Sequence, residues 1–108
     1  MSILPILVPG EDGIGPRHLQ LLGLLVRKRA AISVSEVARE ADLSLARTSR
    51  VLNDLAIRKL ALRDYSPTDL RVIRFAPTEA GRQLHAIVQR RTAEDARRHL
   101  TPTEDHQP

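Results

Sequence analysis

Two arginines and an asparagine recur at short intervals in the middle of the chain. Arg47, Arg50 and Asn53 are each three residues apart, a spacing that brings side chains to neighbouring positions on a helix. Each guanidinium could bond the O6 and N7 atoms of a guanine, and the asparagine amide could bond adenine or a phosphate. Ala46 is small enough to allow a close approach, and it could touch a thymine methyl group. The pattern predicts a helix that contacts base edges in the major groove of a duplex.

Hydroxyl groups accompany these arginines. Ser44 stands directly before the predicted helix and Ser49 lies within it. Together with the N–H groups at a helix N-terminus, such hydroxyls suit phosphate oxygens. Arg63, on a strand that follows, could also meet a phosphate, or it could be ordinary strand surface.

Two apolar and basic runs, at about 60–65 and 71–76, predict short strands joined by a polar turn. The turn region contains Thr68, Asp69 and Arg71, which we take as candidate binding residues. An ordinary surface pair between Asp69 and Arg71 is the alternative, and such a pair contributes little by itself.

Capping residues predict the helices that must position these side chains. Ser33 and Glu36 form a capping box before a helix over about 34–41. Ser44 is an N-cap for a helix over about 45–58. Pro16 suits the first turn of an earlier helix, which we expect over about 16–29.

The helix predicted over about 45–58 has two different sides. The side expected to pack on the core consists of Thr48, Leu52 and Leu55, flanked by Val51 and Leu45. The opposite side consists of Ala46, Arg47, Arg50, Asn53 and Asp54. The alternative to a binding surface is a solvated face on which Arg47 and Arg50 pair with Asp54.

Composition excludes several classes of protein. The chain has 108 residues, a formal net charge of +4 and no cysteine, so disulfides and thiol catalysis are excluded. All of its 17 lysines and arginines except Lys28 and Lys59 are arginine. We find no apolar run that could span a membrane, no zinc spacing and no catalytic set. We therefore expect a cytoplasmic protein, not an enzyme, that requires no cofactor or metal.

Several short motifs in sequence order resemble the MarR family of bacterial transcriptional regulators. The motifs lie at residues 34–38, 43–44, 49–50, 55, 60–63, 69–71 and 78–81. Lys59 stands where the family usually has a glycine, and a left-handed lysine has a steric cost, which leaves the exit turn of the helix open. Pro77 replaces a usual leucine.

The resemblance implies a mainly α protein with a small β-hairpin, an α+β winged helix-turn-helix. It also implies a sequence-specific regulator of double-stranded DNA, most often a repressor. The helix over 45–58 would then enter the major groove and the wing over 66–71 the minor groove. In the wing, Arg71 would reach the minor groove while Asp69 holds its guanidinium in place.

We divide the chain into an arm (1–15), the winged helix-turn-helix (16–78), a C-terminal helix (79–100) and a disordered tail (101–108). Family members form dimers through longer terminal helices than this chain has. We expect a homodimer here whose contacts come from both ends of the chain, namely Leu4, Leu7, Leu84, Ile87 and Val88. The sequence does not say whether a small-molecule effector exists.

Two other functions stay open at this stage. A winged-helix protein-interaction module without DNA binding would require apolar residues on the outward face of the helix at 45–58, where Ile57 is the main one. An accessory DNA-binding factor of a mobile element, for replication or partition, is also consistent with so short a chain.

Overall fold

Four helices and a three-stranded antiparallel sheet form the part of the chain that the computed structural model describes. This part comprises residues 13–105, with side chains described as far as residue 97. In chain order the elements are α1 (Pro16–Arg27), β1 (Ile32–Ser33), α2 (Val34–Ala41), α3 (Leu45–Ile57), β2 (Ala61–Tyr65), β3 (Ile73–Pro77) and α4 (Glu79–Asp105). The strand order is β1-β3-β2, and β2 and β3 form the hairpin. The winged-helix architecture predicted from the sequence is confirmed.

Side-chain caps begin three of the helices. The N–H of Glu36 donates to Ser33 Oγ over 3.2 Å, and the N–H of Arg47 donates to Ser44 Oγ over 3.1 Å. Thr78 Oγ1 accepts from the N–H of Gly81 at the start of α4. Because each cap satisfies an N–H that has no partner inside its helix, it sets where the helix starts.

A residue with left-handed backbone follows each of the helices α2 and α3. Asp42 has φ 59° and Lys59 has φ 67°. After each of them the next N–H bonds back into the helix, from Leu43 to the carbonyl of Ala38 and from Leu60 to that of Leu55. This is a Schellman motif, in which glycine usually occupies the left-handed position. The exit turn of α3 therefore keeps the left-handed form although a lysine occupies it.

The sheet differs from the prediction in two places. Strand β1 was not predicted, since its two residues are extended only through pairing with Phe75 and Arg74 of β3. Strand β3 begins at Ile73 and includes Pro77, which was expected to end it earlier. Pro77 is paired with Ala61 at the end of the ladder, where a missing N–H costs little.

Helix α4 is longer than expected. It continues to Asp105, so residues 101–105 are helical although they were assigned to a disordered tail. The expectation that the polar segment around Pro102 stays outside the helix was wrong; residues 106–108 lie outside the described residues. Within the described residues no helix, α4 included, combines the length and the apolar character of a membrane span.

The core lies between α1, α3 and the sheet. Its largest fully buried side chains are Phe75, Ile14, Leu21, Leu22, Leu25, Leu52, Leu55 and Leu60. Leu45 was expected to flank this core but is 58% exposed. The reason is its place at the first residue of α3, where the helix has not yet reached the packed layer.

Candidate nucleic-acid interface

Helix α3 presents its arginines to solvent. Ala46, Arg47 and Arg50 are all exposed. Within residues 13–97 the structure gives neither arginine side chain an ion pair or a hydrogen bond. The alternative in which both pair with Asp54 therefore does not describe this structure. Two guanidinium groups on one helix are left with their donors unused by the fold.

Asp54 is bound to two other partners. Its Oδ2 lies 2.8 Å from His18 Nε2 on α1 and 3.0 Å from Arg58 Nε one turn further along α3. Burial raises the pKa of Asp54, but the hydrogen bonds from Arg58 and His18 outweigh it and hold that pKa below its ordinary value. Asp54 therefore fastens α3 to α1 and belongs to the support of the site.

The tautomer of His18 follows from its second contact. The N–H of Gly15 points at His18 Nδ1 over 3.4 Å, so that nitrogen accepts. Nε2 then carries the proton and donates to Asp54. His18 thereby connects Gly15, at the start of α1, to Asp54 in the second half of α3.

Asn53 and Ser49 are joined on the outward side of α3. Asn53 Nδ2 donates to Ser49 Oγ over 3.2 Å, and both side chains are half-buried. Because the serine oxygen accepts here, its own O–H stays available to donate to a phosphate oxygen. Ser44 is exposed at the N-cap, although its oxygen already accepts from the N–H of Arg47.

The wing holds Arg71 by a two-pronged contact with Asp69. Arg71 Nε donates to Asp69 Oδ1 over 3.1 Å, and Arg71 Nη2 donates to Asp69 Oδ2 over 3.3 Å. The backbone N–H of Arg71 also donates to Oδ1 over 3.0 Å. These bonds lower the pKa of Asp69 below its ordinary value. Arg71 nevertheless remains 88% exposed, so its guanidinium is oriented and still accessible.

Hydroxyls and backbone bonds shape the rest of the wing. Ser66 donates its N–H to the carbonyl of Val72 over 2.8 Å, and Ser66 Oγ accepts from the N–H of Thr68. Thr68 is exposed at the tip, and Arg63 is exposed on β2. Arg63 forms no ion pair within the described side chains. Thr68 Oγ1 lies 3.2 Å from Ser66 Oγ. A DNA contact by either residue stays a prediction.

A cleft of about 370 Å³ separates α3 from the wing. Its lining comes from the first turns of α3, from the end of β1 with the start of α2, and from the segment that joins the wing to β3. The lining residues are Ser33, Val34, Ser35, Leu45, Ser49, Arg71, Val72 and Ile73. Leu45 and Ser35 were not predicted as surface residues of this region. Helical periodicity gives the direction of a side chain but not where the core stops, so no sequence signal identifies Leu45.

Three of the proposed dimer residues, Leu84, Ile87 and Val88, lie within about one turn of α4. Leu84 is 3% exposed and packs into the core of its own chain, so it offers little surface to a second copy. Ile87 and Val88 are half-buried on α4. Leu4 and Leu7 lie outside the described residues.

Known structures share this fold. FabT of Streptococcus pneumoniae, solved in complex with DNA, superposes with a TM-score of 0.73 at 18% identity, covering 91% of this chain and 68% of its own. A MepR variant of S. aureus gives 0.77 at 18% identity, covering 85% and 68%. A MarR variant of E. coli, solved with operator DNA, gives 0.72 at 21% identity, covering 85% and 65%.

The fold is therefore the winged helix of MarR-type regulators. The chain spans about two thirds of the length of these three structures. No protein-family model and no curated protein matches the sequence. At these identities the likeness establishes the architecture, and the activity has to be argued from the site.

Proposed function

We propose that this protein is a sequence-specific double-stranded DNA-binding transcriptional regulator that acts as a repressor in the cytoplasm and has no enzymatic activity. The observation that carries the proposal is the pair of exposed guanidinium groups on α3, which bond to no other residue among the described side chains. FabT and MarR, which share the fold, were solved with DNA, and this supports the same class of partner. A net charge of +4 suits a polyanion.

In the proposed complex α3 lies in the major groove and the wing in the adjacent minor groove. Arg47 and Arg50 bond guanine edges, while Asn53 addresses adenine or a phosphate. Ser44, Ser49 and Arg63 contact phosphates. Arg71, held by Asp69, enters the minor groove, and narrow A·T-rich grooves favour such an arginine. Thr68 borders it at the wing tip.

A homodimer on a near-palindrome would place two such helices in successive major grooves. A repressor of this kind acts by covering promoter DNA. The shared fold supports the arrangement.

Selection from a random duplex pool, repeated across salt concentrations, tests the proposal. We expect a two-fold symmetric sequence to be enriched, with affinity that falls steeply as salt rises, because binding releases counterions. An absence of duplex binding at low salt would refute the proposal.

Arg50→Ala tests the base contact itself. We expect relaxed base preference at one position per half-site and a loss of about 1–3 kcal/mol on the selected duplex. Arg29→Ala is the matched control, since Arg29 is exposed in the loop after α1, away from the proposed surface. An equal loss on all sequences would make Arg50 a phosphate contact instead.

One observation favours a protein-interaction module as the second candidate. Ile57, near the end of α3, is 76% exposed and borders a cavity of about 550 Å³ that His18, Val51 and Asn53 also line. An apolar residue there suits a protein partner better than it suits DNA. The same duplex selection separates the two functions, because a protein-interaction module would enrich no sequence. An accessory DNA-binding factor of a mobile element would also enrich a duplex sequence. It would differ from a transcriptional regulator in the process it serves, which is replication or partition.

A further inference from the structure

Leu45 is a large apolar side chain placed in water at the start of the proposed recognition helix. It is the first residue of α3 and 58% of it is exposed. Isolated surface leucines are common and need no explanation by themselves. The position of this one is what matters, because it stands among the groups that the proposed function turns toward DNA.

The cleft locates Leu45 more closely. Leu45 lines it together with Ser49, which lies one helical turn later on the same side of α3. Arg71 of the wing lines the same cleft. If α3 occupies the major groove and the wing the minor groove, the strand between the two grooves passes through this cleft. Leu45 then lies at the edge of the major groove, next to that strand.

Base chemistry restricts what a leucine can contact there. In the major groove the thymine 5-methyl is the one apolar group that a base pair presents. A leucine opposite an amino or carbonyl group would strip water from it without replacing the lost hydrogen bond, which is unfavourable. A thymine at this position avoids that cost and buries its methyl.

We propose that Leu45 is a specificity-determining residue that packs on the 5-methyl group of one thymine in each half-site. The proposal rests on the proposed DNA-binding function of α3. It adds one base, a thymine, to those that α3 contacts in each half-site. It differs from a methyl contact by Ala46, whose single methyl group reaches less far from the helix. It also differs from a sugar contact, which would be blind to base identity.

Deoxyuridine substitution tests the contact because it removes the methyl group and nothing else. In the selected duplex each thymine of a half-site is replaced in turn, and affinity is measured by fluorescence anisotropy. For the wild-type protein we expect a loss of about fourfold at one position, the effect of one buried methyl group. For Leu45→Ala we expect thymine and deoxyuridine to be bound equally at that position. Leu45→Met, which keeps an apolar side chain, should preserve the preference.

Leu62→Ala is the matched control, because Leu62 is 62% exposed on β2 and lies outside the proposed interface. It should bind both duplexes like the wild type. The proposal is overturned if no thymine position responds, if Leu45→Ala keeps the wild-type preference, or if Ala46→Gly abolishes the preference and Leu45→Ala does not. These results all require duplex binding, so they differ from failure of the proposed function, in which the wild-type protein binds no duplex and the role of Leu45 falls with it.

Discussion

Two threonines show how far the contribution of a hydroxyl to the stability of the fold depends on its neighbours. Thr48, on the buried side of α3, is 0% exposed, and its Oγ1 has no hydrogen-bond partner within the described residues. Thr78 Oγ1 donates to the carbonyl of Lys59 over 2.7 Å and accepts from the N–H of Gly81 over 3.0 Å. The same side chain therefore weakens the fold at one position and stabilises it at the other.

Thr48→Val should stabilise the protein. Valine has nearly the same shape, and it removes a buried hydroxyl whose lost hydration is not compensated; we expect a gain of about 1 kcal/mol in the free energy of unfolding. Urea unfolding followed by circular dichroism measures it. Thr78→Val is the matched control and should lose about 1 kcal/mol with the helix cap. A loss at Thr48 as large as at Thr78 would contradict the argument.

Lys59→Gly should also stabilise the protein. At φ 67° the lysine Cβ crowds the backbone, a strain that glycine avoids, while glycine costs more entropy on folding. We expect a net gain of about 0.5–1 kcal/mol, measured as a higher urea midpoint at unchanged slope. Asp42→Gly is the comparison: aspartate tolerates this conformation better, so its gain should be smaller. Equal or reversed gains would show that strain does not dominate at Lys59.

At the scale of the element, local signals explain what could be predicted. Ser33, Ser44 and Thr78 cap helices whose starts the sequence therefore indicates, and the arginines of α3 are exposed as its periodicity predicts. Contacts between segments that are far apart in the sequence could not be predicted from these local signals. Strand β1 depends on pairing with β3, and Asp54 was assigned to the outward face because its partner His18 is 36 residues away in the chain.

The wing contains an ion pair, between Asp69 and Arg71, that orients a candidate binding residue. Hydrogen bonds from Arg71 lower the pKa of Asp69, so the charged form is bound more strongly in the folded wing than in the unfolded chain. The contact is complete above the ordinary pKa of an aspartate and is lost as the pH falls through the lowered one. We expect the Arg71 Nε–H signal in NMR spectra to broaden or shift only in that acidic window.

Asp69→Asn should loosen Arg71 without unfolding the wing. The amide oxygen can still accept from the backbone N–H of Arg71, but it no longer carries the charge that orients the guanidinium. We expect part of the affinity loss of Arg71→Ala, confined to duplexes with A·T-rich flanks. Asp64→Asn, at an exposed aspartate on β2, is the control. It should leave the affinity unchanged for duplexes with A·T-rich flanks and for duplexes without them. Unchanged binding by Asp69→Asn would remove the orienting role from Asp69.

At the scale of the whole molecule, α4 extends well beyond the core that its first turns pack against. It is 27 residues long, which corresponds to about 40 Å. Among its described side chains, which reach residue 97, the last apolar one that packs against the core is Val88. Residues 89–97 are all exposed. A helix this long with so little support from its own domain is expected to find it elsewhere. A second copy of the chain is the partner we predict, with Ile87 and Val88 at the start of the contact.

Ile87→Asp should therefore shift the protein from dimer to monomer in sedimentation equilibrium, because a carboxylate at a subunit contact loses its hydration. Leu62→Asp, at an exposed apolar residue of β2, should leave the association unchanged. Thermal melts establish that both variants fold. Since each copy supplies one α3, the monomeric variant should bind a single half-site like the wild type and lose its advantage on the two-fold sequence. A wild-type chain that stays monomeric at the highest concentration reached would rule out α4 as the route to the dimer.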